Sequence, residues 1–98
     1  MSLPLGFHPD VRDDVDEAFD FYEGRQPGLG DDFLAAVREV YQRIQKQPRL
    51  HQVVWQTVRR GLTRRFPYGV FYRVLDHRVE VIAVYHLKQD PSGWQSRV

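Results

Sequence analysis

Arg64-Arg65-Phe66-Pro67-Tyr68-Gly69-Val70-Phe71-Tyr72-Arg73-Val74-Leu75, followed after Asp76-His77-Arg78 by Val79-Glu80-Val81-Ile82-Ala83-Val84-Tyr85-His86, is the stretch on which the fold turns. Both runs are dense in β-branched and aromatic residues, whose side chains alternate between two faces with a period of two. In the first, Val70, Tyr72 and Val74 share one face and Phe71, Arg73 and Leu75 the other. In the second, Val79, Val81, Ala83 and Tyr85 oppose Glu80, Ile82, Val84 and His86. The break at Asp76-His77-Arg78 predicts a tight hairpin. Neither face is wholly polar, so the hairpin belongs at the centre of a sheet with helices covering one side.

Working outward, Pro67 separates Tyr68–Leu75 from a further strand expected over Leu62–Phe66, and the β-prone run Val53–Val58 ends in Arg59-Arg60. Before Pro48 the period changes to three and four. Val11, Val15, Ala18, Phe19 and Tyr22 mark the apolar face of a helix entered at Pro9 and ended by Gly24 and Pro27-Gly28. Leu29, Phe33, Val37, Val40 and Ile44 line a second helix starting near Gly30-Asp31, with Ala36 and Tyr41 on its flanks. Acids at both helix starts, and Arg43 and Lys46 near the second helix's end, match the helix dipole. The short connection predicts an antiparallel helical hairpin. Residues 3–8 predict a short edge strand, because Pro4 has no place in a central one. The fold class is α+β: an N-terminal helical hairpin packed on a small antiparallel sheet, in one domain over residues 1–98.

With 98 residues there is room for one core and no separate cofactor domain. Cysteine is absent, which excludes thiol nucleophiles, disulfides and thiolate metal sites and fits a reducing cytoplasm. The N-terminal residues do not fit a signal peptide, and no apolar run reaches the ~20 residues that span a bilayer. The net charge of +1 conceals a polarised chain. Residues 1–40 carry ten acids against three bases, a net −7; residues 41–98 carry eleven bases against three acids, a net +8. Twelve of the fourteen bases are Arg, whose planar fork suits phosphate and carboxylate. Two outcomes follow from such a chain: a basic surface able to meet a polyanion, or acidic helices and basic strands that neutralise each other.

Arg59, Arg60, Arg64, Arg65, Arg73 and Arg78 interleave with Trp55, Phe66, Tyr68, Phe71 and Tyr72 along the expected strands. Adjacent strands lie about 4.8 Å apart, so arginines on one face would gather into a cationic patch with aromatic platforms. The plainer alternative makes the aromatics core and the arginines its rim. Asp13, Asp14, Asp16 and Glu17 lack calcium-loop spacing and read as a solvated helix face. His8, His51, His77 and His86 show no paired ligand spacing, so no metal and no cofactor is expected. His86 ends the last strand with Lys88, Trp94 and Arg97 close behind. Nearby cations would lower its proton affinity and ready it as a general base, while a strand-end His that bonds a backbone carbonyl is the simpler role.

The helical hairpin with Phe21-Tyr22 and Pro27-Gly28-Leu29-Gly30-Asp31-Asp32-Phe33, the Phe66-Pro67-Tyr68 strand entry, and the tail His86-x-x-x-Asp90-Pro91 before Trp94 and Arg97 together resemble the RelE/ParE toxin superfamily. This superfamily belongs to bacterial type II toxin–antitoxin modules and is often labelled plasmid stabilisation proteins. The resemblance covers nearly the whole chain and implies a toxin neutralised by a cognate antitoxin. RelE-like members cleave messenger RNA on the ribosome with Arg, Lys and Tyr side chains; ParE-like members share the fold, lack that set, and bind DNA gyrase. Here Gly69 and Leu87 stand where the cleaving pattern has Arg, which places ParE-type gyrase binding ahead. The alternatives are a ribosome-dependent endoribonuclease using Arg65, Arg73, His86 and Lys88, and a non-toxic scaffold that only binds antitoxin. On the toxin reading Arg60, Arg64, Tyr72, Trp94 and Arg97 would contact the target, and Leu29, Phe33 and Tyr41 the antitoxin.

Overall fold

The computed structural model describes residues 2–98. The chain runs β1 (Leu5–Phe7), α1 (Val11–Arg25), α2 (Leu29–Lys46), β2 (Val53–Trp55), β3 (Val58–Leu62), β4 (Tyr68–Val74), β5 (Val79–His86) and a single turn of helix, α3 (Ser92–Gln95). The five strands form one sheet in the order β1-β5-β4-β3-β2. Every neighbouring pair is antiparallel except β1, which lies parallel to β5 along Val79–Val81. The hairpin β4–β5 is central and the helices cover one face, as the sequence predicts. No helix among the described residues is long and apolar enough to cross a membrane.

Three expectations are corrected. The strand expected over Leu62–Phe66 ends at Leu62, and residues 63–67 form a tight loop. Thr63 Oγ1 donates to Phe66 O at 2.8 Å, Thr63 N to Tyr68 O at 3.0 Å, and Arg65 takes a left-handed φ of +71°. The loop turns the Phe66 ring inward against Tyr22 and Phe33. The Val53–Val58 run is two strands, not one: Gln56, at φ +50°, folds it into the β2–β3 hairpin.

The alternation along β5 also shifts partway. Phe71 pairs with Ala83 but Tyr72 with Val81, which leaves Ile82 as the extra residue of a β-bulge. Side chains beyond the bulge exchange faces. Val84 and His86 therefore share the helix side with Val79 and Val81, and Ala83 and Tyr85 join Glu80 and Ile82 opposite.

Each face of the sheet has its own core. Between sheet and helices lie Val11, Ala18, Phe33, Val37, Val40 and Ile44 against Phe66, Val70, Tyr72, Val79, Val81 and Val84. On the other face Val58, Phe71, Ile82 and Ala83 are covered by Trp94 of α3, with Trp55 beside it. The two helices are joined tightly because Gly28 adopts φ +89° and Glu23 of α1 accepts the N–H groups of Gly28 and Gly30 at 3.0 Å each. A carboxylate there satisfies donors that the first turn of α2 leaves free.

Candidate functional site

The arginines do not converge on one open surface. Arg64 of the 63–67 loop reaches Glu39 of α2 at 3.1 Å, and its neighbour Arg65 reaches Asp32 at 3.4 Å. Arg73 on β4 faces its cross-strand partner Glu80 at 2.9 Å. Arg97 grips Asp14 with both terminal guanidinium nitrogens, Nη1 and Nη2, at 2.7 and 2.9 Å, and among these pairs it alone is nearly out of solvent, at 11% and 10% side-chain exposure. Arg59 turns to the helix side and donates to the carbonyls of Arg49 and His51 at 3.0 and 2.7 Å. The chain's charge polarity is thus largely spent internally, with basic loop and tail residues meeting acids of the helices. That is the second of the two outcomes the charge pattern allows, and the expected common cationic surface is corrected accordingly.

Arg60 is different. It lies on the helix-free face opposite Phe71; like Arg59 and Arg78 it pairs with no carboxylate among the described residues, but unlike Arg59 it is not tied to backbone carbonyls either. A depression of about 230 Å³ beside it is lined by Trp55, Phe71, His86, Leu87 and Trp94. Its floor is aromatic: Trp94 stacks on Phe71 at 4.6 Å and meets Trp55 edge-on at 5.6 Å. Gly69 makes room for the arrangement, since a Cβ there would sit 3.0 Å from the Arg60 stem. Arginine beside ring faces suits an anionic or carboxylate-bearing surface.

Several residues expected at contacts have other work. Tyr72 is fully buried (0% exposed), and its hydroxyl donates to the Pro48 carbonyl at 2.6 Å. Burial pushes its pKa up to about 12, so it stays protonated and structural. Trp94 is 3% exposed and packs as core of the helix-free face. Arg97 is turned in on Asp14, whose hydrogen bond raises its pKa further. Phe33, at 0% exposure, belongs to the aromatic cluster of Tyr22, Phe66 and Tyr68. The three rings serve packing because apolar area gains most where water is excluded, and Arg97 is held inside by its two charge-assisted bonds to Asp14. Leu29 and Tyr41 are partly buried at the margin of the helix-side core, and burial pushes the Tyr41 pKa up to about 12. Tyr41 stands at 5.3 Å from the exposed ring of Phe7, over a groove of about 320 Å³ that Val11 and Val15 complete.

The four residues of the nuclease alternative are not brought together. Arg73 sits opposite Glu80 at one end of the β4–β5 hairpin and His86 opposite Tyr68 at the other, on the opposite face of the sheet. Six residues of strand separate those ends, roughly 20 Å. Arg65 is tethered to α2 by Asp32. His86 Nδ1 accepts the Lys88 N–H at 3.0 Å, and the His86 ring meets Tyr68 edge-on at 5.3 Å.

Asp14 was legible only as one acid among several on a solvated helix face. Asp13, Asp16 and Glu17 do face solvent, but Asp14 is shielded and also accepts the Val84 N–H at 3.1 Å. Its position three residues after Val11 and four before Ala18 put it on the buried side, which is the signal that singles it out. Glu23 is a second such residue. No three His, Cys, Asp or Glu side chains among the described residues gather as a metal site would require.

Residues 5–91 match the sequence profile of the ParE toxin of the type II toxin–antitoxin system parDE. Toxin ParE2 of Mycobacterium tuberculosis, in strains CDC 1551 / Oshkosh and ATCC 25618 / H37Rv, is 29% identical over 99 aligned positions, covering 100% of this chain and 94% of that protein. Two solved structures share the fold. One, of the chromosomal ParDE system of P. aeruginosa, superposes with a TM-score of 0.63 at 15% identity over 87% of this chain and 96% of that one. The other, of the toxin–antitoxin complex RelBE2 of Mycobacterium tuberculosis, gives 0.62 at 22% identity over 88% of this chain and 99% of that one. A helical hairpin on a five-stranded sheet, with the profile matched from the first strand to the tail, means that this chain belongs to the ParE toxin family of type II toxin–antitoxin systems.

Proposed function

We propose that this ParE-type toxin acts by binding, not by cleaving RNA, that its target is DNA gyrase, and that a cognate antitoxin neutralises it. The observation that carries the reading is the disposal of the cations. Metal-free RNA cleavage requires a base, an acid and charge stabilisation within reach of one ribose. Arg65 and Arg73 are each held by a carboxylate of the same molecule, and the ends of the hairpin keep Arg73 and His86 far apart. Gly69 and Leu87 add no cation to the sheet. What the surface offers instead is a recognition patch: Arg60 beside Trp55 at the depression that Trp94 floors, with exposed Leu62 and Leu87 around it. Arg and Trp are the side chains that anchor protein interfaces. Leu29 and Tyr41, on the helical side, are proposed for the antitoxin, which leaves the two partners on different faces.

The test is supercoiling by purified gyrase titrated with this protein, beside a translation extract scored for A-site cleavage. Inhibition of gyrase that Arg60→Ala weakens about tenfold, with intact messenger RNA, is the expected result. Unaffected supercoiling at large excess would overturn it, and RNA cleavage lost in Arg73→Ala and His86→Ala would install the nuclease reading in its place.

A further inference from the structure

Strand β5 has a free edge. β1 pairs with it only as far as Val81, where His8 N donates to Val81 O at 2.8 Å before the chain turns into α1. From Ile82 to His86 the outward backbone groups have no strand beside them, and side chains from three separate places take their bonds. Arg97 Nη1 donates to Ile82 O at 3.0 Å, Asp14 Oδ2 accepts from Val84 N at 3.1 Å, and Gln89 Oε1 accepts from His86 N at 3.1 Å. These side chains close the edge to water, Ile82, Ala83 and Val84 being 1%, 0% and 2% exposed, and charged groups over a strand edge block unwanted pairing.

Beside this edge, between α1 and β5, lies a cleft of about 310 Å³ lined by Asp14, Glu17, Phe21, Tyr68, His86 and Gln89, among others. It contains two carboxylates and neither Lys nor Arg. Glu17 has no cationic partner among the described residues, and Phe21, 52% exposed, carries the Arg25 guanidinium 4.7 Å over its ring. Asp13, Asp16 and Asp20 extend the same sign along the open side of α1.

We propose that the free edge of β5, Ile82–His86, is a docking strip for an extended, basic segment of a partner protein, which Asp14, Arg97 and Gln89 guard in the free molecule. A strand laid along it regains from backbone the hydrogen bonds that the three side chains now make. Its alternate side chains fall on the α1 side, into the acidic cleft. A guanidinium there takes over Asp14 from Arg97 and pairs with Glu17. Charge disfavours a second copy of this chain as occupant, because two such edges brought together would set the unpartnered Glu17 of each against the other. The strip needs no gyrase, so its failure and that of the preceding proposal are read in different assays.

The experiment titrates the full chain with an acetylated peptide of alternating arginine and valine, against one of alternating glutamate and valine, followed by calorimetry and amide chemical shifts. The basic peptide binds and shifts the amides of Ile82–His86; the acidic one does not. Glu17→Gln, an exposed change that leaves the fold alone, weakens binding about tenfold. Arg97→Gln, which removes the competitor for Asp14, tightens it about tenfold, whereas Lys46→Gln, an equal loss of charge at the far end of α2, changes nothing. Should Arg97→Gln not fold, Gln89→Ala frees His86 N and still tightens binding. Equal affinity for the two peptides, shifts confined to other strands, or binding weakened by loss of the guards would each overturn the proposal.

Discussion

Gly61→Ala isolates how closely α2 is laid on the sheet. Gly61 sits in β3 opposite Val70, on the helix side, and is buried. A Cβ at that position would stand 2.7 Å from Val40 Cγ1, with Ile44 Cγ2 at 3.7 Å and His51 Cε1 at 3.8 Å. Carbon pairs prefer about 3.5–4.0 Å, so the overlap approaches 1 Å. Val40 is fully buried (0% exposed) in the middle of α2 and, being β-branched, has one comfortable χ1 there. The helix must lift or the rotamer must break, at a cost of about 1–3 kcal/mol. Against that, alanine restricts the unfolded chain and returns about 0.4–1 kcal/mol. The balance is a loss of roughly 1–2 kcal/mol, or about 4–15 °C in Tm for a domain of this size. Thermal and urea unfolding of Gly61→Ala, Val40→Ala and the double variant would measure it. The two changes should couple by more than about 1 kcal/mol, since the smaller side chain makes room for the new methyl. Gly69→Ala serves as the contrast: its near neighbours include the flexible stem of Arg60 at 3.0 and 3.1 Å, which can move aside. A Gly61→Ala variant as stable as the parent would show that the helix–sheet spacing is not set where the structure puts it.

Three further outcomes are expected. Burial and the guanidinium groups of Arg43 and Arg59 hold the His51 pKa below its usual 6.5, so the unfolded chain takes up its proton first as pH falls. The stability this contributes is complete above pH 6.5 and drains away as pH drops toward the folded value; urea midpoints between pH 5 and 7 should lose part of that slope in His51→Phe. Tyr72→Phe removes the 2.6 Å bond to the Pro48 carbonyl and leaves that acceptor bare, lowering stability by about 1–2 kcal/mol in denaturant titration without changing partner binding. Trp94→Ala uncovers Phe71 and Ile82 and should cost about 3–5 kcal/mol, with faster hydrogen exchange over the α3 turn; a smaller loss with unchanged exchange would show that the tail is not a structural cover.

What could be read without coordinates follows from periodicity and punctuation. Val11, Ala18, Phe33, Val37, Val40 and Ile44 recur at helical spacing and are buried, because an amphipathic helix has one stable way to lie on a sheet. The β4–β5 hairpin was legible for the same reason, and so was Pro4 at an edge. The sequence also carried the family, through motifs spread from Phe21 to Arg97. Tertiary structure supplied the rest. The bulge at Ile82, which moves Val84 and His86 to the helix side, arises from pairing with β4 and leaves no local signature. Arg97 and Asp14 are 83 residues apart, and only the folded tail discloses that one neutralises the other. Charge composition stated that acids and bases were segregated; which of them would meet depended on distances between elements, and those exist only once the helices are seated. Among the described strand arginines, Arg60 is the one whose guanidinium meets neither a carboxylate, as Arg73 does, nor backbone carbonyls, as Arg59 does, for that reason alone.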